Sequence, residues 1–437
     1  MINLLRFYLY WSVLWGFLAH PVFGIKEIVS QLIIAVDLTV MGAASAYSVF
    51  SLFDKKTPYL QSRVRKSLLA TFILIAYGIA ITKIMDGSIP DAIVYLAVLI
   101  RPIILLLGFA TSLSYPKTQP VKDTYENIKI DMGILVCIQM SIGILQIAFP
   151  SIGGQFVVSL KDTQSAIWAF EEGDISGTFP NSIDMAYFLI SGYFVLTLQN
   201  WFIRKRPSLG MTSLFGYFIY NTGSVTAIIC FLLYVTFIYG RSLTYQNILY
   251  LSNFIALLLI SVTISLSGLV WMGLVEFSSI TIPINDKIDN MMLSRLGLIF
   301  ISIPAVITTI PWRLLIGCGP DFNAVLSILN SLPDVPLGLT ESSSVMIIND
   351  VFWIALILSL GVPMTIFYLY HLIVLFKSCY INYTNSTKNL INIILVIIFV
   401  AGFFNQILLV RPFVISIILG FSSITLKALN SKDKLAQ

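Results

Sequence analysis

Four arginines, Arg241, Arg295, Arg313 and Arg411, stand beside long apolar runs in a chain with few charges. A guanidinium is a rigid fork of donors that grips phosphate oxygens two at a time, which lysine's point charge does not do. Set together at a membrane surface, such arginines suit the diphosphate head group of a lipid. The rival reading is structural, with each arginine snorkelling to the interface or pairing with an acid such as Asp286 or Asp289. Arg241 has no acid within ten residues on either side, which leaves the structural reading only snorkelling there and favours function. Arg411, beside Pro412 at a helix start, fits either.

The solvent these arginines face follows from composition. Of 437 residues, 57% are hydrophobic and 11% charged, whereas a soluble domain carries about 25% charged residues. Runs of about 20 apolar residues favour helices over barrel strands in lipid. The chain therefore reads as an all-α integral membrane protein, one polytopic domain over 1–437. The run Leu4 to Phe23 has only Arg6 before it and no small-x-small cleavage site, so it reads as a first spanning helix rather than a signal peptide. Cys137, Cys230, Cys318 and Cys379 fall in separate segments and make neither a disulfide framework nor a zinc site. His20 and His371 are the only histidines, and no metal or cofactor is expected.

Apolar runs near 4–23, 28–53, 67–85, 92–113, 130–149, 180–203, 212–239, 245–264, 268–284, 347–376, 389–407 and 412–429 predict a bundle of about 12 transmembrane helices. The split of 245–284 rests on the turn-like Ser265-Leu266-Ser267-Gly268; a single crossing there inverts everything after it. Basic residues decide for the split. It gathers Arg6, the Lys55 to Lys66 cluster, Lys117, Lys122, Lys129, Arg204-Lys205-Arg206, Lys377, Lys388 and the tail lysines on one side with both termini, the cytoplasmic side. Arg241, at the end of a helix over 212–239, then falls outside with the other three arginines. Two longer segments, 150–180 and 285–346, also lie outside, the second with a membrane-surface helix over Leu296 to Ile316 and preceding helix 10. The sequons at Asn382 and Asn385 fall on a cytoplasmic loop and carry no weight. No internal repeat is evident, which weighs against a transporter built from repeats. Asp37, Lys83, Arg101 and Glu276 lie inside helices and need partners or a polar cavity; Asp37 is the natural structural partner of Arg101.

The stretch SGTFPNSIDMAYFLI, Ser176 to Ile190, resembles the Gly-x-Phe, Asn and small-residue opening of a helix in bacterial O-antigen ligases and polymerases. YGRSLTYQNILYL is similar to their Ser-Arg or Gly-Arg turn between helices. SRLGLIFISIPAVITTIPWRLLIGCGPDF resembles their external arginine, helix and Gly-x-Gly segment. IINDVFWIALILSLGVP resembles their His-Asn opening followed by a helix and a glycine. In order and placement the four pieces span Ser176 to about Pro363. The resemblance implies a GT-C-type glycosyltransferase in the bacterial inner membrane, acting at the periplasmic face on undecaprenyl-diphosphate-linked oligosaccharide. Where ligases carry histidine this chain has Ile348 before Asn349 and Asp350, which favours a polymerase over a ligase and leaves the base open.

On that reading the growing chain passes from its lipid diphosphate to a hydroxyl of a fresh repeat unit, by positioning and neutralisation of the departing charge. Arg241, Arg313 and Arg295, with Arg411, would grip the diphosphate. Asp350, Glu341 or Asp184 would be the base, and Asn181, Asn349, Gly317 and Gly319 would line the substrate. Structural readings compete at several of these: Asp350 or Asn181 as a helix cap, Gly317 and Gly319 as a turn. The resemblance also implies a chain-length regulator and a flippase as partners, besides membrane lipid. A flippase for lipid-linked oligosaccharide is the alternative function, and in that case the intramembrane charges matter more than the external arginines. The net charge of +5 reflects anchoring to anionic lipid rather than nucleic-acid binding.

Overall fold

The computed structural model describes residues 1–18, 26–53, 58–113, 121–154, 170, 173–179, 181–202, 206–239, 311–320, 352–378, 385–402 and 410–420. Among them every regular element is helical. They are α1 (Ile2–Leu18), α2 (Lys26–Ser51), α3 (Pro58–Ile84), α4 (Ile89–Leu113), α5 (Val121–Ala148), α6 (Pro150–Gly153), α7 (Ser182–Phe202), α8 (Leu209–Asn221), α9 (Val225–Tyr239), α10 (Pro311–Ile316), α11 (Phe352–Ser378) and α12 (Asn385–Gly402). A last helix, α13, covers Arg411–Gly420. Six of the described helices are long and apolar enough to cross a membrane, within α2, α3, α4, α5, α7 and α11. Leu32, Ile34 and Leu38 on α2 and Phe72 on α3 stand exposed; on helices this apolar, such faces are lipid-facing. The chain is thus a multi-pass, all-α membrane protein. The runs at 245–264 and 268–284, the surface helix before Pro311 and most of 155–172 lie outside the described residues.

Neighbouring helices alternate in direction. Trp15 packs on Val29 and Ile33 while Tyr8 meets Asp37, so α1 and α2 run antiparallel. α2 and α4 run side by side in parallel and very close: a side chain at Gly108 would meet Ala44 Cα at 2.8 Å. α5 returns beside α1, fixed by Arg6 and Tyr10, both bonded to Asp131.

The helix expected over 212–239 is two. Asn221 ends α8, Gly223 takes φ +67°, and Ser224 accepts from Ala227 N–H at 3.4 Å to start α9. A left-handed residue after a helix is where glycine costs least. The halves fold back as a hairpin: the Tyr239 hydroxyl donates to Pro207 O at 2.8 Å and lies 3.0 Å from Thr212 Oγ1. Tyr239 therefore returns to the end of the bundle that carries Arg206, while Asn221 O accepts from Ile175 N–H at the other end. At 13 and 15 residues these helices are about 20 Å long, short of the roughly 30 Å apolar core of a bilayer. Arg241 itself lies outside the described residues, but Tyr239, two residues before it, is at the opposite end from the one the single-helix reading requires.

α11 is kinked. Gly361 has φ +75° and Pro363 lacks an N–H, so the carbonyls of Leu358 and Ser359 lose their partners within the helix. Cys318 N–H and Gly319 N–H supply them from outside, at 2.7 and 3.0 Å. The short α10 and its following turn are a backbone patch on a broken helix, with Tyr77 of α3 bonded to Ile316 O at 2.7 Å.

Candidate functional site

Midway down the bundle, one carboxylate faces a hydroxyl and two guanidiniums from three other helices. The Asp37 side chain accepts from the Tyr8 hydroxyl at 2.6 Å, lies 3.1 Å from Arg101 Nη2 and 2.8 Å from Arg411 Nε. Counting about 1.5 Å per residue from the start of each helix puts Asp37 and Arg101 each some 16–18 Å deep. Asp37 and Arg101 are 6% exposed. An unpaired charge at that depth is costly and a pair is tolerable, which is why Arg101 and Asp37 occur at matching depth on parallel neighbours. The pairing is incomplete: Arg101 Nε has no hydrogen-bond partner, and Arg411 Nε, though close to Asp37, is off-line for a hydrogen bond.

Arg411 opens α13, with Pro412 in the first-turn position where a missing N–H is harmless. α13 runs parallel to α7: Phe413 packs edge-on against Tyr187 at 6.0 Å, and Gly420 lies against Phe194. Both helices begin inside the bundle, and their N-termini, each worth about half a positive charge, point the same way. Asp184, in the first turn of α7, lies within electrostatic reach of Arg411. The Arg411 side chain is 27% exposed against 7% for Arg101, so the site is more open on its Arg411 side.

α7 can begin so deep because the segment before it folds inward. Gln146 Oε1 accepts from the N–H groups of Ser176 and Gly177 at 3.1 and 3.0 Å, and its amide donates to Gly177 O at 3.1 Å. Gln139 accepts from Thr178 N–H at 2.9 Å and donates to Thr178 Oγ1, which itself donates to Val13 O at 2.7 Å. Two buried glutamines, seven residues apart on one face of α5, thus replace the water that 176–178 would otherwise need. Gly177 adopts φ +59°, and a side chain on Gly16 would overlap Thr178 O.

Of the residues chosen from sequence, Arg411 reaches the Asp37 carboxylate, and Asp184 lies within its electrostatic reach without pairing to it. Asn181 is on the same segment, where its Oδ1 accepts from Asp184 N–H at 2.7 Å; it caps α7. Gly317 (φ +80°) and Gly319 (φ +86°) serve the patch on α11. Arg313 lies beside them, 5.4 Å over the Trp312 ring. Burial pushes the Cys318 thiol up and Arg313 opposes it. Arg241, Arg295, Glu341, Asn349 and Asp350 lie outside the described residues. Tyr8, Gln139 and Gln146 are the residues sequence reading missed; polar side chains in step on otherwise apolar helices were the available signal. Among the described residues no group of His, Cys, Asp or Glu is arranged to hold a metal ion.

No family model, no curated protein and no solved structure matches this chain.

Proposed function

We propose that the chain is a membrane glycosyltransferase that polymerises undecaprenyl-diphosphate-linked oligosaccharide repeat units, as an O-antigen polymerase does, at the periplasmic face of the inner membrane. The observation that carries this reading is the placing of Arg411 and Arg101 on one buried carboxylate, Asp37, at the N-terminus of α13, which runs parallel to α7. Guanidinium forks and helix N-termini are both built for phosphate oxygens. A diphosphate held there leaves as the glycosidic bond to it breaks, its charge already met by Arg411. The acceptor hydroxyl would lose its proton to Asp350, Glu341 or Asp184, and the resemblance over Ser176 to Pro363 supplies the remainder of the reading. Neither metal nor cofactor is required, because the leaving group is good without one.

A specific observation favours the second reading, a lipid-linked oligosaccharide flippase. The charges cluster at mid-depth, and Tyr239 ends beside Pro207, which removes the structural support for Arg241 as a periplasmic grip. Reconstitution in liposomes with lipid-diphosphate-linked repeat units separates the two. A polymerase gives a ladder of multiples, lost in Arg411→Ala at equal protein level. Transfer of repeat units across the bilayer with no lengthening refutes it in favour of the flippase.

A further inference from the structure

We propose that Asp37 competes with the ligand for Arg411: the guanidinium passes from the Asp37 carboxylate to a phosphate of the lipid, and its return to Asp37 releases that phosphate. The inference rests on the lipid-diphosphate reading for its ligand, but not on polymerisation.

The two guanidiniums of the cluster address one atom. Arg101 Nη2 lies 3.1 Å and Arg411 Nε 2.8 Å from Asp37 Oδ2, while Asp37 Oδ1 accepts from the Tyr8 hydroxyl at 2.6 Å. Two cations thus share one carboxylate, and among the described residues neither is ion-paired to another acid. One guanidinium is left short of a counter-charge at a depth where that is costly. A phosphate oxygen is the anion whose geometry suits it.

Only one of the two is placed to leave. Arg101 comes from the middle of α4, and its side chain is nine-tenths buried. Arg411 stands at the first residue of α13 with the more exposed side chain, and its Nε approaches Oδ2 off the line of a hydrogen bond. At Nε its hold on Asp37 is therefore charge attraction without a hydrogen bond, which is the weaker contact. Tyr8 on one oxygen and Arg101 on the other keep Asp37 in place after Arg411 departs. The carboxylate is a fixed competitor, which does not follow Arg411 and can take it back.

On the polymerase reading the competition has a use, because the chemistry changes the charge of the ligand. In the transfer, the acceptor oxygen bonds to the sugar carbon as its proton goes to the base. The bond from that carbon to the phosphate oxygen breaks, and the electron pair stays on the oxygen. The lipid diphosphate departs with one more negative charge than it brought, so an arginine without a competitor would hold the product more tightly than the substrate. Asp37 weakens that hold. With Arg411 free of Asp37 in about one molecule of ten, an anion that needs it binds about tenfold more weakly than to the unopposed arginine.

The probe is a short-chain polyprenyl diphosphate, with binding measured to purified full-length protein in phosphatidylcholine nanodiscs. Asp37→Asn should bind it at least about tenfold more tightly than the native protein does, and adding Arg411→Ala to Asp37→Asn should abolish the gain. A carboxylate that only holds the fold together predicts the opposite sign, since loosening the site weakens binding. Equal or weaker binding in Asp37→Asn overturns the inference, as does a gain that survives Arg411→Ala. Should Asp37→Asn fail to fold, Asp37→Asn with Arg101→Gln, which frees Arg411 and leaves no unpaired charge at 101, decides by the same comparison. Should no variant bind, the lipid-diphosphate reading falls and this inference with it. A ladder from the native protein with no tightening in Asp37→Asn leaves the polymerase standing and sinks this inference; tightening without a ladder does the reverse.

Discussion

At the residue scale the molecule turns on Asp37. Removing it leaves Arg101 buried and uncompensated and takes the paired carboxylate from Arg411. Breaking one partner of a buried pair costs about 3–5 kcal/mol, so Asp37→Ala should lower the melting temperature in detergent markedly. The double variant Asp37→Asn with Arg101→Gln, which removes both charges, should recover a large part of that loss. Equal melting of the single and double variants would mean that the pair is not what Asp37 is for. The pairing of Asp37 with Arg101 was legible in sequence, because both sit inside apolar helices where each needs an opposite charge. The arrival of Arg411 at the same carboxylate was not, since nothing in its neighbourhood says how deep α13 begins.

At the element scale, two glutamines hold the inward-folded segment that lets α7 start inside the bundle. Gln146→Leu keeps the size of the side chain roughly and strands two N–H groups and one carbonyl, each worth about 1–3 kcal/mol when buried without a partner. Amide exchange at Ser176 and Gly177 should accelerate strongly while α3 and α4, remote from the loop, keep their protection. Unaltered exchange at those two amides would show that the loop does not depend on Gln146. The α8 and α9 hairpin gives a second check at this scale. In a cysteine-free background, Ser208→Cys and Tyr239→Cys should react with a membrane-impermeant maleimide from one side of the membrane, and Tyr220→Cys from the other. Labelling of Ser208→Cys and Tyr239→Cys from opposite sides would restore the single long helix. The turn had a local signature, Asn221-Thr222-Gly223-Ser224, but its apolar flanks total the length of one crossing, and length outvoted the turn.

At the scale of the whole molecule, the hairpin changes which arginine should matter. In the liposome assay Arg411→Ala should abolish chain lengthening, by more than about a hundredfold if it meets the departing charge. Arg411→Lys should recover only part of it, since the fork is lost with the charge kept. Arg241→Ala, by contrast, should leave a ladder. Loss of the ladder in Arg241→Ala with Arg411→Ala still active would reverse the assignment and return the site to the sequence of apolar runs alone.

Sequence by itself determined the solvent, the helical class and the approximate span of most described helices, because apolar runs of membrane length leave the backbone no other way to satisfy its hydrogen bonds. It also marked Arg101 and Asp37 as charges in need of partners, and Asp184 and Arg411 as candidate site residues. Only the tertiary structure decided which partners they found, that 212–239 doubles back, and that Gly317 and Gly319 mend a broken helix. Those outcomes depend on the depth at which each helix begins and on contacts between residues as far apart as Asp37 and Arg411. Hydrophobicity has no direction along the chain and does not encode them. Depth is set by side chains such as Gln139 and Gln146 reaching across to another segment, and that information appears only once the helices are packed.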